Sequence, residues 1–333
     1  MKVSFETIQE IATGVSYVEK QDAYIQFHRF NKAEEAYYKD AEFPRHFATS
    51  GVRLEFETNS ETLKLKVHTK EATPALYFSH DILLNGKKIG DISNFYTLDT
   101  KTRKPVGEFH LGDFEGEFVF GSGIKQVSIL FPWSVNSMLQ TLEIDDGATI
   151  YATKKTKKLI AYGDSISYGA SCAYPSGRYV SRLSDALGAE EVCKAVGGEV
   201  FCPGLVALAD EAGADCVTVA YGTNDITSRD VEDIERRCSE FFAILAKVYA
   251  KAPVFVISPI WRSDCNEGEI SKKLRWLENY LCEIAGKYEN FVFINGFDLI
   301  PHNTSCYADF LHPNDLGFEH YASHLAEIVS KEI

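Results

Sequence analysis

Among nine histidines, one has a carboxylate three residues before it: His312, in Asp309-Phe310-Leu311-His312-Pro313. That spacing lets a single turn hold the carboxylate beside the imidazole. Asp309 would accept the Nδ1 proton, fix the tautomer and stabilise the imidazolium formed during proton transfer. Nε2 is then left to serve a nucleophile. The candidate nucleophile is Ser165, which follows the short apolar run 159–162 in Gly163-Asp164-Ser165. A serine on a tight strand-to-helix turn exposes its Oγ, and its own N–H faces the oxygen of a reacting carbonyl. Both motifs also have a plainer reading. Ser165 or Asp164 can simply cap a helix, and His312 can cap the helix that follows Pro313.

Two further positions offer donors to a developing oxyanion. Gly198 follows the run 192–196 and Gly197, and without a Cβ its N–H can approach an oxygen closely. Asn224, in Gly222-Thr223-Asn224-Asp225 after the run 216–221, supplies a side-chain amide. Asp225 beside it is suited to fixing the loop. The plainer alternatives are a turn glycine and an Asx turn or helix cap.

Ser165, Gly198 and Asn224 follow the ends of three of five short apolar runs, 159–162, 192–196, 216–221, 254–258 and 291–294, and the Asp309–His312 cluster sits just before the last helical pattern. Between the runs lie helical patterns at 179–187, 231–251, 269–288 and 315–329. The second carries Ile234, Cys238, Phe241, Phe242 and Leu245 on one stripe. Strand–helix alternation predicts an α/β fold with a parallel sheet covered on both faces. Ligands in such folds bind beyond the carboxyl ends of the strands.

Residues 1–150 follow a different pattern. Val52, Leu54 and Phe56 alternate with Arg53, Glu55 and Glu57, and Leu63, Leu65 and Val67 repeat the pattern after Asn59-Ser60-Glu61. Further runs at 75–84, 116–120, 127–131 and 139–144 are punctuated by Asn85-Gly86 and Gly121-Ser122-Gly123. Short alternating strands with frequent turns predict an antiparallel β-sandwich, with no long helical period. The basic stretch 154–158 reads as a solvated linker or strand lead-in. The expected domains are a jelly-roll-like β-sandwich over 1–153 and a catalytic domain over 158–333.

The four blocks around Ser165, Gly198, Asn224 and Asp309–His312 resemble those of the SGNH (GDSL-type) hydrolases. In that family the second block usually reads Asn-x-Ala/Gly-x-x-Gly. Here it is Cys193-Lys194-Ala195-Val196-Gly197-Gly198, so a cysteine stands where asparagine is usual and Gly197 is the alternative donor to Gly198. The resemblance covers about 159–333. It implies a flavodoxin-like three-layer sheet and ester hydrolysis by Ser165, His312 and Asp309. It also implies an oxyanion hole made by the Ser165 and Gly198 N–H groups and the Asn224 side chain. No metal or organic cofactor is implied. The first half is similar to the β-sandwich preceding this catalytic domain in family-two carbohydrate esterases acting on xylan and mannan. The match rests on Leu130-Phe131-Pro132-Trp133-Ser134 and Leu142-Glu143-Ile144-Asp145, with a fainter echo of a Gly-x-Asp-Leu-Tyr element at Ser79-His80-Asp81-Ile82-Leu83.

Composition narrows the partners. The chain has 333 residues and a net charge of −14. The charge is spread evenly, −6 in residues 1–150 and −8 in 151–333. A phosphate-backbone binder needs a basic face, and this balance instead suits an uncharged ester substrate. The N-terminal stretch has acids at Glu6 and Glu10 where a secretory signal would be apolar. With eight cysteines and no Cys-x-x-Cys pair, the expectation is reduced thiols in a cytoplasmic protein. His320 and His324 lack the intervening glutamate of a His-Glu-x-x-His zinc motif. For substrate contacts the candidates near strand ends are Tyr174, Arg178, Trp261 and Arg262, since aromatic faces and an arginine suit a sugar ring. No extended apolar lid is evident, which favours short acyl groups, chiefly acetyl. The leading expectation is an intracellular oligosaccharide O-deacetylase. The alternatives are a general lipase, thioesterase or acyltransferase, and a non-catalytic glycan-binding protein.

Overall fold

The computed structural model describes residues 1–95, 109–209, 213–265 and 268–333. The chain divides into two compact units. The first comprises Met1–Phe30, Asp40–Lys154 and Tyr174–Ser176, and the second Asn31–Lys39, Lys155–Ala173 and Gly177–Ile333. Each unit therefore takes a short segment from the other's stretch of sequence.

The first unit opens with a short helix, α1 (Phe5–Ile11), capped by Ser4. Among the described residues eleven strands follow: β1 (Ala12–Thr13), β2 (Tyr17–Lys20), β3 (Ile25–His28), β4 (Arg53–Thr58), β5 (Thr62–Glu71), β6 (Ser79–Leu84), β7 (Lys87–Ser93), β8 (Gly112–Val119), β9 (Lys125–Leu130), β10 (Val135–Ile144) and β11 (Ile150–Ala152). They form two antiparallel sheets, β1-β4-β9-β6-β7 with β11 also on β4, and β2-β3-β10-β5-β8. One core draws on both: Leu54, Phe56 and Ile129 from the first sheet, and Leu63, Leu65 and Val67 from the second. Period-two alternation works here because each sheet buries one face. In β5 the burial alternates residue by residue from Thr62 to Thr69. The Asn85-Gly86 turn has positive φ at both residues, 50° and 77°, the geometry of a tight two-residue hairpin and the reason this dipeptide joins β6 to β7. The run 75–84 is extended strand only from Ser79 onward. At the β4–β5 turn, Asp145 accepts from the Glu61 and Thr62 N–H groups and from the Ser60 and Thr62 hydroxyls. Its carboxyl is held down at about 2, chiefly by the Thr62 and Ser60 hydroxyls.

In the second unit the segment 31–39 carries α2 (Lys32–Tyr37), closed by a capping box between Asn31 and Glu34. The remaining elements alternate: β12 (Lys157–Gly163), α3 (Ser165–Tyr168), α4 (Tyr179–Ala186), β13 (Ala189–Cys193), α5 (Pro203–Val206), β14 (Cys216–Ala220), α6 (Asp225–Ser228), α7 (Val231–Val248), β15 (Val254–Ile257), α8 (Glu269–Ala285), β16 (Phe291–Ile294) and α9 (Asp315–Val329). The five strands are parallel, in the order β13-β12-β14-β15-β16. This is the flavodoxin-like order, with the switch point between β12 and β14. α4 packs with α9, while α7 packs with α5 and α8. Right-handed crossovers put those two groups on opposite faces of the sheet. β15 is buried at all four positions, as a strand covered on both faces must be. The stripe expected on α7 is its buried face: Ile234, Cys238, Phe241, Phe242 and Leu245.

Candidate active site

β12 ends at Gly163, and the chain turns at once into α3. The turn is tight enough that a Cβ on Gly163 would lie 2.1 Å from the Ser167 Oγ, so only glycine fits. Asp164 is the N-cap, its Oδ1 accepting from the Ile166 N–H at 2.9 Å. The capping role thus falls to Asp164 and leaves the Ser165 hydroxyl for another partner. That partner is His312 Nε2, 2.9 Å from Ser165 Oγ. His312 Nδ1 lies 2.8 Å from Asp309 Oδ2. With the proton on Nδ1, Ser165 donates to the ring and the ring donates to Asp309.

The loop bearing this pair is well anchored. Asp309 Oδ1 accepts from both the Leu311 and His312 N–H groups at 2.7 Å. Burial works to raise the Asp309 pKa, but the bonds from the His312 amide and ring and from the Leu311 amide outweigh it. The carboxyl stays below its ordinary value and remains ionised near neutrality. α9 begins just beyond, and Asn314 is its cap, accepting from the Leu316 and Gly317 N–H groups. The imidazole of His312 is therefore not used for capping.

The loops bearing the candidate donors also converge. β13 stops at Cys193, earlier than the apolar run suggests. The chain continues beside β12, with the Lys194 N–H on Ala161 O and the Val196 N–H on Gly163 O. This brings the Gly197-Gly198 turn next to the turn that carries Ser165. Gly198 has φ of +82°, the left-handed region that favours glycine. Asn224 stands at the start of α6 but makes no side-chain cap bond there. Its Nδ2 donates instead to Glu199 O at 2.9 Å. Asp225 Oδ1 accepts the Phe201 N–H at 3.2 Å, so the 197–201 and 222–225 loops hold each other.

A second layer sits behind them. The Glu199 carboxylate accepts from the Tyr38 hydroxyl and the Cys202 thiol, each at 2.8 Å. Burial, followed by the nearby Glu199 charge, raises the Cys202 pKa and keeps the thiol protonated as a donor. Glu34 of α2 pairs with Lys194 at 2.6 Å, both buried. Nothing in the sequence singles out Tyr38, Glu199 or Glu34. Tyr38 and Glu199 are 161 positions apart, and no local pattern marks their meeting. Two buried acids lie close to Ser165. Burial pushes Asp164 up to about 7, with the Ile166 N–H opposing and Asp225 reinforcing. Burial likewise lifts Asp225 to about 6, against the Phe201 N–H and Arg229.

Three of the four expected substrate contacts, Arg178, Trp261 and Arg262, are buried. Arg178 is 1% exposed. It pairs with the buried Glu191 at 2.8 Å and donates to the Tyr168 and Ser167 carbonyls, so it braces α3 from inside. Its Nη2 also reaches the Cys193 Sγ, at the position where asparagine is usual. Arg262 is 3% exposed. Its guanidinium is spent on Asp264, at 2.6 and 2.8 Å, and on Thr223 Oγ1, at 3.3 Å. Trp261 is buried, stacked on His302 with centroids 5.5 Å apart and edge-on to Tyr307. Tyr174 belongs to the first unit, where its ring lies under Lys88 Nζ at 3.2 Å and beside Phe95. A residue near a strand end in sequence need not face the space beyond that end. His320 and His324 have ring centroids 6.0 Å apart, and His324 Nδ1 is bonded to Leu299 O. Among the described residues no group of three or more His, Cys, Asp or Glu is placed to hold a metal ion, and no helix is long and apolar enough to cross a membrane.

Residues 161–320 match the family model of the GDSL-like lipase/acylhydrolases. The C-terminal part of this chain is accordingly a GDSL-like acylhydrolase domain, of a class that acts on ester bonds. The whole fold, both units included, recurs in solved structures. A salicylyl-acyltransferase from a tetracycline biosynthetic pathway is 19% identical, with a TM-score of 0.84 over 100% of this chain and 98% of that one. A GDSL-like lipase from Bacteroides ovatus is 20% identical, with a TM-score of 0.76 over 98% and 96%. An acetyl xylan esterase from the rumen bacterium Butyrivibrio proteoclasticus is 16% identical, with a TM-score of 0.64 over 100% and 97%. No curated protein matches the chain in sequence.

Proposed function

We propose that this protein is a serine esterase that removes short acyl groups, chiefly acetyl, from the hydroxyls of oligosaccharides. The observation carrying this is the unbroken hydrogen-bond line from Ser165 Oγ through His312 to Asp309. In this reading His312 takes the Ser165 proton as Oγ attacks the ester carbonyl. Asp309, ionised and fixed by two backbone N–H groups, stabilises the imidazolium. The oxyanion is held by the Ser165 N–H, the Gly198 N–H and the Asn224 amide. Loss of one such donor typically costs about 10²–10³ in rate. The left-handed φ of Gly198 supports it over Gly197, and the bond to Glu199 O points the Asn224 amide while leaving its second hydrogen for substrate. His312 then protonates the departing alcohol, and water activated by the same ring releases the acid.

The catalytic domain in this reading is 158–333 together with the 31–39 excursion, and the rest of 1–153 is the β-sandwich that precedes it in sequence. Carbohydrate as the alcohol is supported by the acetyl xylan esterase among the structures of like fold. Seven of the eight cysteines are buried, which fits reduced thiols in a compartment such as the cytoplasm.

A second reading is transfer of the acyl group to an alcohol in place of water, favoured by the likeness to the salicylyl-acyltransferase over the whole chain. One experiment tests both. Wild type and Ser165→Ala are assayed for acetate release from acetylated xylo- and manno-oligosaccharides and simple acetate esters, with and without an added sugar acceptor. Release by wild type, lost by at least about a thousandfold in Ser165→Ala, is the expected result. Acetyl appearing on the acceptor in place of free acetate moves the assignment to transfer. Full activity in Ser165→Ala would overturn the triad.

A further inference from the structure

Phe310 lies between the acid and the base of the proposed triad, and it is 52% exposed. Its neighbours on the loop are fixed. Asp309 Oδ1 is bonded to the Leu311 and His312 amides, Leu311 is buried, and the Phe310 carbonyl accepts the Ser263 N–H at 2.9 Å. The Arg262 guanidinium lies 5.4 Å from the centre of the phenyl ring. That guanidinium cannot wander, because Asp264 and Thr223 hold it. The outcome is an aromatic face displayed to solvent by a rigid loop and braced behind by a buried cation.

The chemistry says which half of an ester would meet this face. The general acid must touch the oxygen of the departing alcohol, so the alcohol sits over the histidine loop. The carbonyl oxygen points the other way, toward the 197–198 and 222–225 loops. We propose that Phe310 is the residue that selects the alcohol half of the substrate, by stacking on the apolar face of a ring-bearing alcohol such as a pyranose. This rests on the triad reading above. It replaces Arg262 and Trp261 as direct substrate contacts: Arg262 acts through Phe310 and Thr223 as a positioning residue.

The test uses two acetate esters that share an acyl group, methyl acetate and monoacetylated methyl xyloside, with wild type, Phe310→Ala, Phe310→Trp and Ser165→Ala. Wild type should favour the xyloside ester in kcat/KM. Phe310→Ala should lower kcat/KM for the xyloside ester about tenfold, mostly through KM, and that for methyl acetate by much less. Phe310→Trp should keep the preference. The proposal is overturned by no wild-type preference, by a preference that survives in Phe310→Ala, or by an equal fall on both esters. Methyl acetate hydrolysis by Ser165→Ala separates the two claims. If it persists, the triad reading fails; if it is lost, the triad reading holds and the Phe310 variants alone decide the role of the ring.

Discussion

At the scale of single residues, the site is a contrast between one ionised carboxylate and two that burial holds back. Asp309 has two backbone N–H groups and an imidazole to satisfy it. Asp225 has one N–H on Oδ1 and a guanidinium Nε at 4.0 Å, and its Oδ2 has no hydrogen-bond partner. Its carboxyl therefore rests at about 6, against an ordinary 3.8. An acid whose pKa rises on folding favours the folded state at low pH. Between about pH 4 and 6 the folded chain binds the proton that the unfolded chain has lost, so this contribution disappears as pH rises. Asp225→Asn removes the titration while keeping an oxygen for the Phe201 N–H. Relative to wild type, the variant should gain about 2 kcal/mol between pH 4 and pH 7.5. Urea unfolding at those two pH values checks this, and parallel behaviour of the two proteins would refute it.

At the scale of elements, α2 is the instructive case. Its six residues are too few to be stable alone. The capping box closes its start, Asn31 donates to Leu208 O, and Glu34 meets Lys194 in a buried pair. Lys194 begins the chain segment that ends in the Gly197-Gly198 turn, so the pair also steadies that turn. A buried ion pair is weak evidence of net stabilisation, but removing one partner strands the other charge. Glu34→Ala should cost about 3 kcal/mol and lower the melting temperature by several degrees. Glu34→Ala with Lys194→Met should recover most of that loss. Thermal melts of the single and double variants decide it, and a double variant no better than the single would refute stranding as the cause.

At the scale of the whole molecule, the two units have separate hydrophobic cores, yet neither is a single stretch of sequence. The second unit owns 31–39, which supplies both Glu34 and Tyr38. A fragment of residues 155–333 would keep every strand of the parallel sheet and every proposed catalytic residue. It would also bury Lys194 without its carboxylate and lose the hydroxyl that holds Glu199. Expressed alone, it should aggregate or unfold readily, with esterase activity at least about tenfold below the full chain. Gel filtration, circular dichroism and an acetate-release assay would measure this; a stable, fully active fragment would refute it.

What the sequence alone determined is what repeats locally or sits within one turn. Alternation in 52–67 decides a strand face, Asn85-Gly86 decides a hairpin, and the α7 stripe decides which side is buried. Asp309 and His312 are three residues apart, so one loop suffices to join them. The blocks at the strand ends were legible for a related reason: parallel βαβ order delivers successive strand ends to one edge. Tertiary structure alone decided which of the neighbouring side chains are free to act. Arg178 and Arg262 look like ligand contacts in sequence, but burial forces each charge onto an internal partner. Phe310, between Asp309 and the buried Leu311, is left facing solvent. The role of 31–39 was equally hidden, because a hydrogen bond between Tyr38 and Glu199 depends on where the chain returns and on nothing near either residue.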